Sequence, residues 1–395
     1  MTDNPEFLPF ARPDIGQEEI DEVVDTLRSG WLTSGPKTRQ FEKEFAEFIG
    51  VPFAIAVNSG TAALHLALEA IGLGEGDFVV TTPYTFAASA EVIRYFGAHP
   101  LFADIDPVTM NIAPEKIAEA TARASSEGKR VKAILPVHFG GLACDMEAIR
   151  KIAAGNGLKI VGDAAHAFST SYRGAWIGAV EDLAAFSFYA TKPLATGEGG
   201  MVTTLNEEYA KRIRTMRLHG LSREIWNRDK SDKPGWHYEI VAPGFKYNLT
   251  DIASSIGIHQ LRKAKAFRNR REEIAGIYSE AFRELPLLLP SDGAGESVPS
   301  WHLYVIRLAL ERLDIDRDRF IERMSERGIG TSVHFIPLHL HPYWRDRYGF
   351  HPEDFPVALD TYRRCVSLPI YTRMTNGDVS RVVEAVTDIL AKHSR

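Results

Sequence analysis

Lys192 is the residue whose surroundings most alter its chemistry. It stands in Ser187-Phe-Tyr-Ala-Thr-Lys192-Pro-Leu-Ala-Thr-Gly-Glu-Gly-Gly200, between a strand-like run over 182–188 and a second one, Met201-Val-Thr-Thr204. A lysine in a Gly-rich loop between apolar strands can be held away from water. Desolvation disfavours the ammonium and lowers the pKa. The neutral amine can then form a Schiff base with an aldehyde. Pyridoxal phosphate is the aldehyde cofactor that uses a lysine in this way. Taken alone, a loop lysine is ordinarily a solvated charge, so the other parts of such a site must be found.

Asp163 lies in Val161-Gly-Asp-Ala-Ala-His166, at the carboxyl end of a buried-type strand. A carboxylate there can pair with a protonated pyridine nitrogen and keep the ring electron-withdrawing; it can equally cap a helix. His166 follows three residues later and can reach the same pocket or serve as a structural histidine. Asn58-Ser59-Gly60-Thr61 sits where a strand turns into a helix. Exposed N–H groups and the helix dipole favour an anion at such a turn, and Gly60 allows close backbone approach. No Walker lysine follows, which argues against a nucleotide P-loop. Phe86, in Thr81-Thr-Pro-Tyr-Thr-Phe86, is expected to open a helix and can stack on a cofactor ring or pack in the core. Ser187 can donate to a phosphate. His334, His339 and His341 form a cluster in sequence without a carboxylate or cysteine at matching spacing, so a substrate cleft is expected and no metal.

Elements that could position these residues follow from the apolar pattern. Strand-like runs at 53–57, 77–82, 100–104, 131–137 and 158–161 alternate with helix-like runs at 62–71, 86–96 and 146–154. That pattern predicts a mostly parallel sheet covered on both faces, with ligands beyond the carboxyl ends of the strands. Thr250 or Asp251 is the expected N-cap of one long helix to about residue 285. Beyond it, strand (301–308), helix (317–327), strand (330–335) and final helix (378–392) suggest a smaller α+β domain. The expected division is a large domain over 1–250, including an N-terminal arm, and a linking helix with small domain over 251–395. The stretch 211–233 is rich in Arg and Lys and is either a solvated loop or one that reaches a ligand or a partner subunit; Arg217, Arg223, Arg228 and Lys230 are its candidate anion contacts.

The chain has 395 residues, enough for roughly two or three domains. A net charge of −6 argues against a broad nucleic-acid footprint. Two cysteines without metal-type spacing fit a reduced, cytoplasmic setting. No signal peptide is expected from the first residues, and no apolar run approaches the ~20 residues of a membrane span.

Several motifs carry a resemblance over nearly the whole chain. They are Ser29-Gly-Trp-Leu-Thr-Ser-Gly-Pro36, Asn58-Ser-Gly-Thr-Ala-Ala63, Gly162-Asp-Ala-Ala-His166, the 187–200 loop, Arg217-Leu-His-Gly220, Phe245-Lys-Tyr-Asn-Leu-Thr-Asp251 and Gly330-Thr-Ser-Val-His-Phe335. Together they resemble the sugar-nucleotide aminotransferases of the DegT type. Phe7-Leu-Pro-Phe10, His166 and Lys246-Tyr-Asn248 are similar to the branch that makes UDP-4-amino-4-deoxy-L-arabinose, whereas Pro193 departs from it. The resemblance implies the α/β fold of fold-type I pyridoxal phosphate enzymes and a homodimer with shared active sites. It implies that Lys192 joins the cofactor covalently and Asp163 binds its ring nitrogen. Gly60, Thr61 and Ser187 would hold the phosphate, Phe86 would stack on the ring, and His166 would lie near its phenolic oxygen. Lys246 or Asn248 would reach the phosphate from the other protomer. Trp31, Thr33, Arg217, His334 and His339 are the candidates for contact with substrate.

The implied reaction is a two-stage transamination from L-glutamate to a nucleotide-linked keto-sugar, with Lys192 as the proton shuttle. A dehydratase on the same fold would have histidine in place of Lys192. An aminotransferase of a free cyclitol ketone and a regulatory relative without turnover are the other readings; the intact Lys192, Asp163 and Ser187 argue against the last.

Overall fold

Short apolar strands alternating with helices build a seven-stranded sheet. The computed structural model describes residues 7–222 and 238–395. Two helices come first, α1 (Gln17–Ser29) and α2 (Pro36–Ile49). Then follow β1 (Phe53–Val57), α3 (Gly60–Ala70), β2 (Phe78–Thr81), α4 (Ala88–Arg94), β3 (His99–Phe102), α5 (Pro114–Ser126), β4 (Val131–Ile134), α6 (Met146–Asn156) and β5 (Lys159–Asp163). A small hairpin, β6 (Ser171–Tyr172) and β7 (Ala175–Trp176), leads to β8 (Leu183–Ser187), β9 (Gly200–Thr204) and α7 (Glu207–Met216).

The sheet order is β1-β9-β8-β5-β4-β2-β3. Every pairing from β8 through β3 is parallel, as expected for strands joined by helical crossovers. β9 is antiparallel to both neighbours, because it returns directly through the 188–199 loop. Successive side chains of β1 enter different cores. Ala54 and Ala56 pack with Phe41 and Phe45 of α2, while Ile55 and Val57 pack with Leu64 and Leu68 of α3. The period of two thus covers the sheet on both faces. Buried Phe41, Phe45 and Ile49 form the inner stripe of α2, and Gly50 ends the helix with φ 81°.

The expected long helix is broken at Lys263 into α8 (Asp251–Arg262) and α9 (Ala264–Phe282). Thr250 caps α8, its hydroxyl accepting from Ala253 N–H at 3.2 Å. The break lets the two pieces serve different cores. Ile258 and Leu261 pack beside Phe41 and Phe45, whereas Ile274, Tyr278 and Phe282 enter a second core. The chain therefore crosses between cores within α9. Asp251 fixes α8 to α2 by accepting from the N–H groups of Gly35 (2.5 Å), Lys37 (3.1 Å) and Thr38 (2.9 Å).

After β10 (Leu287–Leu288), β11 (Ser297–Val298) pairs with β6. A small antiparallel sheet then joins β10, β12 (Tyr304–Leu308) and β13 (Cys365–Leu368) in the order β10-β12-β13. It is accompanied by α10 (Arg317–Glu326), α11 (Pro342–Tyr348), α12 (Pro356–Arg364) and α13 (Asn376–His393), giving the expected smaller α+β unit. The strand expected at 330–335 does not form. Gly330 bonds to Leu8 and Ser332 to Ser367, so the segment divides its hydrogen bonds between two partners and builds no ladder with either. Leu8 also packs in the second core, so the N-terminal arm joins the C-terminal unit and not the large sheet.

Candidate active site

β5 and β8 are parallel neighbours, with Asp163 opposite Ala185, so their carboxyl ends emerge side by side. β1 points the same way, being related to β8 through two antiparallel pairings with β9. It delivers Ser59, the N-cap of α3, to the same end. A cavity of about 380 Å³ opens there. Gly60, Thr61, Asp163, His166, Ser187 and Lys192 line it from the sheet side. Phe10, His302, His334 and Phe335 face them from the arm and the C-terminal unit, and Phe86 also lines it.

Lys192 sits in a turn closed by its own N–H donating to Tyr189 carbonyl at 2.9 Å. Burial lowers its amine to a pKa of about 8, and the Asp163 carboxylate pulls in the opposite direction. Asp163 is held rigidly: Oδ2 accepts from Ser89 Oγ at 2.7 Å and Oδ1 from Ala165 N–H at 3.0 Å. His166 accepts from Gly140 N–H through Nδ1 at 3.2 Å, which leaves the proton of the neutral ring on Nε2. Burial pushes the His166 pKa well below its ordinary value, and the Lys192 and His334 charges push the same way. Burial also lowers His334, to about 4, with Lys192 adding to the effect. Its Nδ1 meets Ser367 Oγ at 2.8 Å.

The start of α3 fits a phosphate. Ser59 engages the third and fourth N–H groups: its Oγ accepts from Ala62 and its carbonyl from Ala63. Gly60 and Thr61 precede them in the first turn, where N–H groups have no intrahelical acceptor. A Cβ on Gly60 would stand 2.8 Å from Ser187 Cβ, so the glycine brings this turn against the end of β8. An anion site, a desolvated amine and a fixed carboxylate around one cavity match the phosphate, aldehyde and ring nitrogen of pyridoxal phosphate. Phe86 lies ahead of α4, not within it, and is 63% exposed. That leaves its ring available to the cofactor and not committed to the core.

Other candidates lie elsewhere. Lys246 Nζ donates to Asn248 Oδ1, and Asn248 Nδ2 donates to Ser34 Oγ at 2.8 Å and Thr33 Oγ1 at 3.4 Å. Trp31 Nε1 donates to Ser34 carbonyl at 3.1 Å. These five residues form one cluster and do not line the cavity of their own chain. Arg217 pairs with Glu42 and donates to Ala56 carbonyl at 2.9 Å, tying α7 to α2 and β1. His339 is corrected to a core residue. It is fully buried, meets Pro352 carbonyl at 3.1 Å and packs on Phe355. Arg223, Arg228 and Lys230 lie outside the described residues. Sequence reasoning missed Ser89 and His302, which come to the site only through tertiary contacts; Phe10 and Phe335 were visible as motif members without a role.

A lysine and an aspartate at adjacent carboxyl ends of this sheet define a fold-type I pyridoxal phosphate enzyme. The chain belongs to the DegT/DnrJ/EryC1/StrS aminotransferase family, whose pattern matches residues 13–387. It is 49% identical over 385 residues to the spore coat polysaccharide biosynthesis protein SpsC of Bacillus subtilis, covering 97% of each chain. Spr1654 of Streptococcus pneumoniae, solved in its pyridoxal phosphate form, is 30% identical with a TM-score of 0.89, over 98% of this chain and 99% of that one. Helicobacter pylori PseC, an aminotransferase involved in the biosynthesis of pseudoaminic acid, is 27% identical with a TM-score of 0.89, over 98% and 100% of the chains. The protein is a pyridoxal phosphate-dependent sugar aminotransferase.

Proposed function

We propose that the enzyme converts a nucleotide-linked 4-keto sugar to the amino-sugar with L-glutamate as donor, as a cytoplasmic step of polysaccharide synthesis. The observation that carries the reading is the desolvated Lys192 amine sharing one cavity with Asp163 and the α3 N-terminus. The similarity to SpsC and PseC supports a sugar destined for a larger glycan. The two free, buried cysteines suit a reducing compartment.

Bound pyridoxal phosphate supplies an electron-withdrawing ring that accepts the electron pair of the carbon losing its proton. The protein does the rest. Gly60 and Thr61 N–H groups and Ser187 Oγ hold the phosphate. Asp163, fixed by Ser89, would keep a proton on the ring nitrogen. Lys192 Nζ removes the proton from the glutamate Cα in the first half-reaction. In the second, it delivers a proton to the sugar carbon that receives the amine. Its lowered pKa suits both directions near neutrality. His166, with Nδ1 taken by Gly140 N–H, keeps Nε2–H for the cavity it lines, and Phe86 would stack on the ring.

In this reading two protomers complete each site. The Lys246–Asn248 pair, with Trp31 and Thr33, forms the part of the cleft that reaches across to the other protomer. Exposed Trp31 and Leu32 beside Thr33 support burial of this face in a homodimer.

Glutamate-dependent amination of UDP-, GDP- and dTDP-linked 4-keto and 3-keto sugars tests the proposal. A 4-amino product from one nucleotide series is expected. Amination of a free cyclitol ketone, with no product from any nucleotide sugar, would overturn it.

A further inference from the structure

The second ring beside the cofactor cavity belongs to His302, which the mechanism above does not use. Its centroid is 4.5 Å from that of His166, at an interplanar angle of 54°. The residue is only 6% exposed, and among the described residues its Nδ1 has no hydrogen-bond partner. An unpaired buried nitrogen carries a desolvation cost that an apolar residue would avoid. The backbone leading to it is also strained: Trp301 has φ 50°, a left-handed conformation that bulky residues rarely adopt.

That strained turn is clamped. The buried Arg271 guanidinium donates to the carbonyls of Trp301 (3.2 Å) and Ile370 (2.5 Å), with the His302 carbonyl at 3.5 Å. On its other side the segment bonds to the loop that holds His166. Leu303 N–H donates to Gly140 carbonyl at 3.1 Å, and Ser300 Oγ to His166 carbonyl at 2.8 Å. Gly140 is the residue whose N–H engages His166 Nδ1. Ring packing and backbone bonds therefore converge on one imidazole.

We propose that His302 is a positioning residue of this aminotransferase: clamped by Arg271, its ring holds His166 against Gly140 N–H and aims His166 Nε2–H into the cofactor cavity. The charged and titratable groups facing His302 are His166, Lys192, Arg271 and His334, brought by four different parts of the fold. Burial and these neighbours keep the His302 ring uncharged, so it acts by shape and not as a second cation beside Lys192. The inference rests on the assignment of pyridoxal phosphate to this cavity.

Apoenzyme titrated with pyridoxal phosphate, followed by the cofactor absorbance, gives a readout that does not depend on turnover. His302→Ala should weaken binding about tenfold, the scale of coupling between packed neighbours. His302→Asn, which loses the ring but keeps polarity, should show the same loss. His302→Phe, which restores a ring, should recover most of the affinity. In a His166→Ala background, adding His302→Asn should change affinity less than about twofold, because the residue it positions is gone. Wild-type affinity in His302→Asn, or an undiminished tenfold loss in the His166→Ala background, would overturn the proposal. Failure of the wild-type chain to bind pyridoxal phosphate would instead strike the cofactor assignment itself.

Discussion

The desolvated Lys192 amine should be detectable without any sugar. With a pKa of about 8, it is neutral in about one molecule in ten at pH 7. A solvated lysine at 10.5 is neutral in roughly three molecules in ten thousand, so the reactive fraction differs by about 300-fold. Apoenzyme is mixed with pyridoxal, which lacks the phosphate, and trapped with borohydride between pH 6 and 11. Mass analysis then gives the labelling rate of each lysine peptide, with exposed lysines as internal references. Labelling of Lys192 should rise with a midpoint near 8, while the references rise above 10. Because the Asp163 carboxylate raises the Lys192 pKa, Asp163→Asn should move the midpoint lower. The same burial acts on stability. The unfolded chain keeps this proton up to about 10.5 and the folded chain loses it near 8, so the unfolded state binds more protons in between. Stability should therefore rise with pH across that window by about 3 kcal/mol, and Lys192→Met should remove the rise. A labelling midpoint at 10 or above, or an upward shift in Asp163→Asn, would refute the reasoning.

Two further outcomes follow from close contacts. Gly60→Ala places a methyl 2.8 Å from Ser187 Cβ, and overpacking of this kind destabilises by about 1–3 kcal/mol. Urea unfolding should register that loss and pyridoxal phosphate should bind more weakly; unchanged affinity would mean that this turn does not hold the phosphate. Asp251→Ala strips acceptors from the N–H groups of Gly35, Lys37 and Thr38 and from Thr38 Oγ1. Stability should fall by about 3 kcal/mol or more, and a loss below about 1 kcal/mol in chemical denaturation would contradict the cap.

Local patterns carried much of the architecture. The strand runs at 53–57, 158–161 and 182–188 were legible, to within two residues at their ends, because a strand buried on both faces is continuously apolar and ends abruptly. Lys192 and Asp163 could be placed together because adjacent parallel strands end at one side of the sheet. What failed was information held by tertiary partners. Nothing local at Lys263 marks a helix break; the break reflects two cores pulling on successive turns. The β-like run at 330–335 forms no strand because its neighbours are Leu8 and Ser367, from opposite ends of the chain. The pairing of Arg217 with Glu42 was invisible in the sequence, at 175 residues of separation. His302 had no motif to announce it, since its significance lies in a ring 136 residues away.

The cavity walls come from two distant parts of the chain. Lys192, Asp163 and Gly60 belong to the large sheet, while Phe10, His302 and His334 arrive with the arm and the C-terminal unit. Neither set encloses a cofactor by itself. The active site is thus a seam, completed only when both halves have docked. During refolding, capture of the cofactor should be the last event and should mark assembly of the whole chain, not the formation of either half.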